Sequence, residues 1–349
     1  MFINIANLSS VQNCSIIGYG HTELSDDPER LRSISQVEFI DMLSFETRCQ
    51  LFGNLPPWSD EDKMAIADGW ISLTGIHHRI FFDGPLSDLA LIAARKCLAQ
   101  AGVSALELDA IVAGSNTGPG YPSLADRIKH GLGQRSQAMA YDIQEACPVG
   151  CVAVFNGWNL VRSGVAKKVL VVCAEKATTL AKLDDWKGSN LFGDAAFAFL
   201  LTASEHEAFK FFDIRCEPFD GQLHLITKTE DGFSQKGLGV HKFVGREVVR
   251  ILVEDIAQAG IVPASIHHLV PHQPSSKTLN LLEEKLRESW PTFSGQVHRN
   301  VEYTGNTSGA STGSLISKAV LAGDMKSGDL VVVTTFGAGL SIGNYAFVI

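Results

Sequence analysis

The chain has 349 residues, of which 45% are hydrophobic, and a formal net charge of −9. A chain of this size and composition buries a large core as one big domain or two fused ones. The acidic balance, with no Lys/Arg-rich face, excludes a general nucleic-acid binder. No apolar run reaches the ~18 residues of a membrane helix and no signal peptide is evident, so we expect a cytoplasmic globular protein without a membrane role. Seven cysteines at irregular spacings indicate reduced thiols.

The first repeated element lies at residues 98–116. This stretch, "LAQAGVSALELDAIVAGSN", predicts a helix ending at Ala-Gly, a turn, and a short apolar strand with a polar end. The segment 256–274, "IAQAGIVPASIHHLVPHQP", has the same pattern with the same spacing between turn and strand. Such internal repetition predicts a duplicated architecture.

Next along the chain comes "EACPVGC", residues 145–151. It admits four interpretations: a metal site, a disulfide, a buried turn, or a nucleophile at a helix start. We expect no metal, because Cys-x3-Cys lacks the usual x2 spacing and no second ligand pair follows. Pro148 is suited to the first helical position, which makes Cys147 the cap, where the helix dipole stabilises a thiolate. Cys151, one helical turn on, is expected in the core.

A second repeated pair follows. Residues 159–175, "NLVRSGVAKKVLVVCAE", and 322–339, "AGDMKSGDLVVVTTFGAG", each predict a helix, a Ser-Gly turn and a buried Val-rich strand. A looser third pair joins residues 192–201 and 336–349.

The repeats predict two similar α/β halves, residues 1–205 and 206–349. In this arrangement Cys147 and Asn306 occupy similar places, each just before a helix-like segment. His272 ends the strand of the second half. The nucleophile candidate and an amide are therefore expected to face each other.

At this point the motifs resemble the thiolase superfamily, and most closely the ketoacyl-acyl-carrier-protein synthase III family, whose members start fatty acid chains. The resemblance implies the thiolase fold, with two pseudo-duplicated α/β halves in a five-layered αβαβα arrangement. The matching segments, spread over most of the chain, are "WISLTGIHHR" (70–79), "AARKCLAQAG" (93–102), the Cys147 turn, "LFGDAAF" (191–197), "LVPHQ" (269–273), "YTGNTSGAS" (303–311) and "FGAGLSIG" (336–343).

The resemblance also implies a reaction. Acyl transfer needs a nucleophile that is also a good leaving group, and a thiolate is both. Cys147 would take an acyl group from a thioester, with the backbone N–H groups of Cys147 and Ala338 as the oxyanion hole. His272 and Asn306 would then hold the carbonyl of a malonyl thioester while it loses carbon dioxide, and the resulting enolate would attack the acylated cysteine. No cofactor is implied.

Partner contacts are implied in the same way. Tyr121 matches a bulky residue that crosses a dimer interface and closes the partner's acyl pocket, which implies a homodimer or a heterodimer with a paralogue. Arg250 and Lys277 match basic positions offered to an acyl carrier protein or to pantetheine phosphate, and Trp70 matches a residue that contacts CoA. The implied substrates are acyl-CoA or acyl-carrier-protein thioesters.

The sequence departs from the family pattern at four places. An Arg that grips the adenine of CoA with the Trp is absent, "HQPSS" (272–276) replaces "HQAN", and residues 22–69 are unusually long and acidic, which predicts a lid or a tunnel wall. Glu145, where a small residue is usual, would raise the pKa of a neighbouring thiol. Glu145 is either an accessory acid/base or a side chain that leaves the pocket.

We therefore expect an acyltransferase of the synthase III type that performs decarboxylative Claisen condensation in a specialised fatty acid, polyketide or related pathway. Two alternatives stay open. One is an acyltransferase that uses Cys147 and His272 to form an ester or amide without decarboxylation. The other is a partner subunit that only shapes a paralogue's pocket.

Overall fold

Two mixed β-sheets form the framework of the molecule. A computed structural model of the chain describes residues 2–5, 12–133, 138–216, 224–229 and 232–349. The strands in this part are β1 (Phe2–Asn4), β2 (Asn13–His21), β3 (Leu31–Ser35), β4 (His78–Phe82), β5 (Ala110–Gly114), β6 (Met139–Ile143), β7 (Lys168–Lys176), β8 (Asp194–Ser204), β9 (Phe209–Cys216), β10 (Ile226–Thr229), β11 (Gly232–Gln235), β12 (His268–Pro271), β13 (Gln296–Val297), β14 (Leu330–Gly337) and β15 (Ser341–Val348).

Helices cover both sheets and fill the space between them. They are α1 (Gln36–Met42), α2 (Phe45–Phe52), α3 (Asp60–Thr74), α4 (Leu86–Ala101), α5 (Leu124–Gly131), α6 (Val149–Arg162), α7 (Trp186–Ser189), α8 (Gly237–Phe243), α9 (Val249–Gln258), α10 (Ser276–Ser289), α11 (Val301–Thr304) and α12 (Ser311–Ala322). A π-helical stretch, Val244–Val248, joins α8 to α9. No helix of the described ranges is long and apolar enough to cross a bilayer.

The two sheets repeat one topology, which confirms the predicted duplication. Their strand orders are β2-β8-β7-β5-β6 and β9-β15-β14-β12-β13, and β1 adds to the edge of the second. The pairing directions also agree, because in each of these strand orders the first two pairs are antiparallel and the last two pairs are parallel. Since β1 crosses from the N-terminus to the second sheet, the division of the chain at residues 205 and 206 stays a prediction.

Three apolar clusters separate five layers, as expected for the αβαβα arrangement. Helices α4 and α5 cover the outer face of the first sheet, and α9 and α10 cover that of the second. The central cluster joins the inner faces of both sheets to α6 and α12. Central strands such as β7 and β14 are buried on both faces, which is why their sequences are nearly continuous runs of Val.

At the centre, the starts of α6 and α12 approach so closely that only glycine fits. A Cβ on Gly150 would lie 2.3 Å from the carbonyl oxygen of Gly309, and a Cβ on Gly309 would lie 2.2 Å from Cγ1 of Val149. Real Cβ atoms do not tolerate such distances, so the two glycines let the two halves meet backbone to backbone.

Residues 22–69, together with the end of α3 and β4, pack around a small core of their own. Strands β3 and β4 pair as an antiparallel ribbon, and α1–α3 enclose a small core that includes Phe39, Ile40 and Trp70. Among the described residues, the large cavity presented below is lined by Leu73 and Thr74 at the end of α3 but by none of 22–69. The cavity lining therefore does not support a tunnel wall built from residues 22–69, and a lid formed by this segment stays a prediction.

Candidate active site

A cavity of about 980 Å³ lies where elements of the two halves meet. It takes in Cys147, His272, Asn306 and Ala338, which come from four distant parts of the chain. The sequence motifs and the family resemblance predicted these residues as one set, and in the structure they line one cavity. No group of three or more His, Cys, Asp or Glu side chains in the described ranges is arranged to hold a metal ion.

Cys147 lies in the turn that leads into α6. The helix begins at Val149, with Pro148 as the capping residue, so the predicted cap at Cys147 is one residue out. The amide of Val149 donates to the carbonyl of Ala146 over 3.1 Å, and Ala146 has φ of 43°. A non-glycine residue at positive φ is strained by about 1–3 kcal/mol and often marks a functional turn.

The end of β14 passes directly over the nucleophile candidate. A Cβ on Gly337 would lie 2.8 Å from the backbone nitrogen of Cys147. Glycine at this position therefore lets the "FGAG" loop, with Ala338 next in the chain, reach the cavity beside Cys147.

Burial works against the thiolate that the helix start was expected to favour. It raises the pKa of the Cys147 thiol to about 12; the hydroxyl of Ser308 lowers that pKa and the carboxylate of Glu175 raises it. Ser308 Oγ lies 3.9 Å from Cys147 Sγ. The resting group is a neutral thiol, so reaction requires an acceptor for its proton.

His272 is a neutral hydrogen-bonding group. It is buried at the end of β12, where Nδ1 lies 3.2 Å from Ser311 Oγ of α12 and the ring packs edge-to-face on Phe336. Burial lowers the pKa of His272 to about 3. A neutral imidazole supplies one N–H donor and one acceptor nitrogen.

The amide of Asn306 has a fixed orientation. Its Oδ1 accepts a hydrogen bond of 2.9 Å from the backbone N–H of Ser308. Because the oxygen is engaged, Nδ2 is the part of the amide that can donate a hydrogen bond into the cavity. Asn306 is itself held by backbone hydrogen bonds to Leu191 and Gly193.

Glu145 lies in the cavity and does not turn away from it. Its side chain lines the cavity and accepts a hydrogen bond of 2.7 Å from Ser341 Oγ. Of the two alternatives for this residue, the geometry favours the one in which the carboxylate faces the site. An acid/base role stays a prediction.

Trp70 is not at the cavity, which corrects its predicted contact with CoA. The side chain is 4% exposed, and its ring stacks on Trp186 with centroids 5.5 Å apart and packs against the edge of Phe39. The residue is a core side chain of the α1–α3 unit, so its ring offers no open face to adenine.

The two predicted basic contacts differ in position. Lys277, exposed in the first turn of α10, lines the cavity. Arg250 does not line it and forms ion pairs of 2.8 Å with Glu247 and Glu254. Tyr121 also lies outside this cavity, and its side chain is 99% exposed.

Two features of the site were not predicted from the sequence. The first is an apolar wall of the cavity, built from the β10–β11 ribbon and α8 and including Ile226, Phe233 and Leu238. The second is a buried carboxylate, Glu175, near Cys147. A Glu at the end of the apolar run "VLVVCAE" was the sequence signal for the latter, since charged residues are seldom buried without a specific reason.

Comparisons with known proteins agree with this geometry. The family models described as 3-oxoacyl-[acyl-carrier-protein (ACP)] synthase III and its C-terminal part match residues 141–218 and 256–349. The chain is 33% identical over 306 residues to beta-ketoacyl-[acyl-carrier-protein] synthase III of Paracoccus denitrificans, covering 81% of this chain and 91% of the relative. It is 32% identical, with the same coverage, to the protein of that name from Clostridium perfringens.

Solved structures are similar over nearly the whole chain. 3-Oxoacyl-[acyl-carrier-protein] synthase III from Aquifex aeolicus superposes with a TM-score of 0.80 at 26% identity, covering 97% of this chain and all of that one. The priming beta-ketosynthase of the R1128 polyketide pathway gives a TM-score of 0.81 at 24% identity, covering 98% of each chain. The latter likeness concerns the fold alone.

Proposed function

Because this chain belongs to the 3-oxoacyl-[acyl-carrier-protein] synthase III family of acyl-transferring, thiolase-fold condensing enzymes, we propose that Cys147 accepts an acyl group and condenses it with a malonyl-type or 3-oxoacyl-type thioester. The observation that carries this proposal is the single cavity shared by Cys147, His272, Asn306 and Ala338. A thiol nucleophile, two neutral hydrogen-bond donors and a glycine-rich backbone loop are the groups that such chemistry needs.

In the first half-reaction the sulfur of Cys147 attacks the carbonyl carbon of a donor thioester. The thiol of Cys147 gives up its proton as the new carbon–sulfur bond forms, and the bond to the donor sulfur breaks, so the donor leaves as a thiolate and then takes a proton. The N–H groups of Cys147 and Ala338 stabilise the negative oxygen of the tetrahedral intermediate. The close passage of Gly337 over the Cys147 nitrogen supports this assignment.

In the second half-reaction the extender thioester loses carbon dioxide. His272 and the Nδ2 group of Asn306 donate to its carbonyl oxygen, and this stabilises the enolate. The enolate carbon attacks the acyl carbonyl on Cys147, whose thiolate leaves. The low pKa of His272 keeps the imidazole neutral at physiological pH. The ring therefore acts as a neutral hydrogen-bond donor, and its charge stays the same across the physiological pH range.

The apolar wall indicates the acyl group. Ile226, Phe233 and Leu238 line the same cavity as Cys147, so an acyl chain with several methylenes or an aromatic ring is favoured over a small polar one. Together with Glu145 and the separate α1–α3 unit, this supports a specialised fatty acid, polyketide or related pathway.

Intact-mass measurement after incubation with a panel of acyl-CoA and acyl-carrier-protein thioesters tests the proposal. We expect one acyl adduct, mapped to the peptide that carries Cys147. Addition of malonyl thioester should then release carbon dioxide and a product joined by a carbon–carbon bond. An intact Cys147 with every donor of the panel would contradict the proposal.

One observation favours a second candidate, ester or amide formation without decarboxylation. Glu145 lies in the cavity, held by Ser341, where a carboxylate can take a proton from a hydroxyl or an amine. In that case Glu145→Gln should load acyl groups normally but release product about 10²-fold more slowly. Turnover equal to that of the wild type at every pH would assign Glu145 a structural role.

The position of Lys277 supports the use of a carrier protein. Lys277 at the cavity is a contact for an acidic carrier or its phosphate, whereas Arg250 would first have to break its ion pairs with Glu247 and Glu254. Lys277→Glu should therefore reduce the rate with carrier-linked substrate more than Arg250→Glu does, measured at several salt concentrations.

Tyr121 is fully exposed in the single chain. We propose that a second subunit, either a homodimer partner or a paralogue, covers it. Sedimentation of the wild type and of Tyr121→Ala checks this proposal.

A further inference from the structure

Beneath Cys147 lies a closed network of polar groups centred on Glu175. The carboxylate is fully buried. One oxygen, Oε1, accepts from Asn116 Nδ2 over 2.6 Å and from Ser308 Oγ over 3.2 Å. The other, Oε2, accepts from the backbone N–H of Asn116 and from the hydroxyls of Thr117 and Ser115.

Ser308 joins this carboxylate to the nucleophile. Its Oγ lies within hydrogen-bonding distance of both Glu175 Oε1 and Cys147 Sγ. The amide of Asn116 ties the same network to the turn of Cys147, because Nδ2 also donates to the carbonyl of Ala146 over 2.6 Å. Ser308 is held at φ of 49°, an uncommon conformation for a residue other than glycine.

The hydroxyl of Ser308 has one proton, so its two contacts cannot both be donations. If Glu175 is ionised, Ser308 donates to it and can accept a proton from the Cys147 thiol. If Glu175 is protonated, it donates to Ser308, which can then donate to a Cys147 thiolate. The two arrangements carry the same net charge and differ only in the positions of two protons.

We propose that Ser308 and Glu175 form a proton relay that receives the thiol proton of Cys147 during acyl loading and returns it when the product leaves. This rests on the proposed function, in which Cys147 is the nucleophile. As sulfur attacks the donor, its proton passes to Ser308 Oγ and the Ser308 proton passes to Glu175. Glu175 acts through Ser308 and is a positioning residue, whereas Ser308 contacts the reacting sulfur.

The protons balance over the cycle. The proton stays on Glu175 while Cys147 carries the acyl group, and the donor thiolate takes its proton from solvent. When the enolate attacks, Cys147 leaves as a thiolate and regains its proton through Ser308. The enzyme returns to its starting state, with one proton taken from solvent for each donor thiol released.

The electrostatics of the site are consistent with a carboxylate that can hold a proton. Burial raises the pKa of Glu175, although its hydrogen-bond donors oppose the rise. The titratable groups that face it are the thiol of Cys147, through Ser308, and that of Cys173 on the same strand, whose pKa burial raises far above its usual value. An ionised Glu175 beside a Cys147 thiolate would place two negative charges in one buried site, and the relay avoids this.

Glu175→Gln distinguishes a relay from a structural role by the sign of its effect. Gln keeps the size and one acceptor oxygen, but its NH2 group replaces the other oxygen and it cannot take up a proton. If Glu175 were only a buried charge, its loss would lower the pKa of Cys147 and speed reaction with iodoacetamide at neutral pH. The relay predicts the opposite, a decrease of about 10²-fold in alkylation and acyl loading near pH 7, with recovery as hydroxide replaces the acceptor at higher pH.

Ser308→Ala should reproduce this pH profile, and the double variant should be no slower than either single one, because both residues serve one path. Thr117→Val is the matched control, since it removes a different hydroxyl donor to Glu175 and leaves the Ser308 contacts in place. It should react within about threefold of the wild type at each pH. Thermal unfolding of each variant checks folding.

An infrared measurement on the wild-type protein tests the relay without any variant. Difference infrared spectra on acyl loading should show a carboxylic-acid C=O band appearing and a carboxylate band disappearing. Equal or faster alkylation in Glu175→Gln, or no such band on loading, would overturn the relay while Cys147 still carries the acyl group. Failure of the wild-type Cys147 to react with any donor would instead overturn the proposed function.

Discussion

The turn before α6 and the turn before α12 occupy equivalent places in the two halves. Each holds a non-glycine residue at positive φ, Ala146 at 43° and Ser308 at 49°, and each leads into a helix of the central layer. Yet the first turn presents a thiol and the second presents an amide and a hydroxyl. The duplicated fold therefore supplies equivalent positions, and the side chains at those positions determine different chemistry.

The halves also depend on each other. Each turn alone has only part of the proposed machinery, and the contact of Gly150 with Gly309 brings the parts together. We expect substitution of Cys147 to affect acyl loading, substitutions of His272 and Asn306 to affect decarboxylation, and substitutions at the contact to affect both.

The largest expected effect is on the first turn. Cys147→Ser should abolish acyl loading, since the thiol sulfur is the attacking atom and a serine hydroxyl, which is far less acidic than a thiol, is a poor nucleophile toward a thioester even beside the relay. Cys216→Ser is the matched control, because Cys216 lines the same cavity and is exposed. Intact-mass measurement after incubation with donor reports the acylation of both variants. An acyl adduct that persists in Cys147→Ser would contradict the assignment of Cys147 as the nucleophile.

The second half should show the complementary pattern. His272→Ala and Asn306→Ala should each slow release of carbon dioxide from malonyl thioester by about 10²-fold or more, because each removes a donor to the enolate oxygen. Acyl loading should fall much less. Rates of both half-reactions, measured separately on the same preparations, check this; equal losses in the two would show that the halves do not divide the work as proposed.

The contact between the helices is the next test. Gly150→Ala should lower the free energy of unfolding by about 1–3 kcal/mol and reduce both half-reactions, because its Cβ would meet the backbone of Gly309. Gly69→Ala is the control, since this glycine lies in α3 with nothing within 4 Å of a Cβ, and it should be neutral or stabilising by up to about 1 kcal/mol. Urea titration of the two variants gives the comparison.

The smallest effect concerns pH. The pKa of His272 is about 3 in the folded protein and about 6.5 in an unfolded chain, so between these values the unfolded state binds the proton and the folded state does not. The free energy of unfolding should therefore fall as the pH falls from about 6.5 toward 3. His272→Gln should lose less stability than the wild type between pH 7 and pH 5, by up to about 2 kcal/mol. Identical pH slopes would show that His272 accepts a proton in the folded protein.

The amino-acid sequence by itself determined the duplicated α/β architecture and the family. Repeats with one spacing predict equivalent elements, and nearly continuous Val-rich strands predict central positions in a sheet covered on both faces. It also predicted Cys147, His272, Asn306 and Ala338 as one set, because the motifs that carry them are local and occur in a fixed order.

Only the tertiary structure decided which other side chains reach the site. Trp70 was predicted to contact CoA and lies in a core, since exposure depends on neighbours such as Trp186 that are distant in sequence. Glu145 could face the cavity or leave it until its contact with Ser341 was known. Glu175 and Ser308 are 133 positions apart and meet only because the two halves pack together at α6 and α12; a hydrogen bond between such residues leaves no local pattern in the sequence.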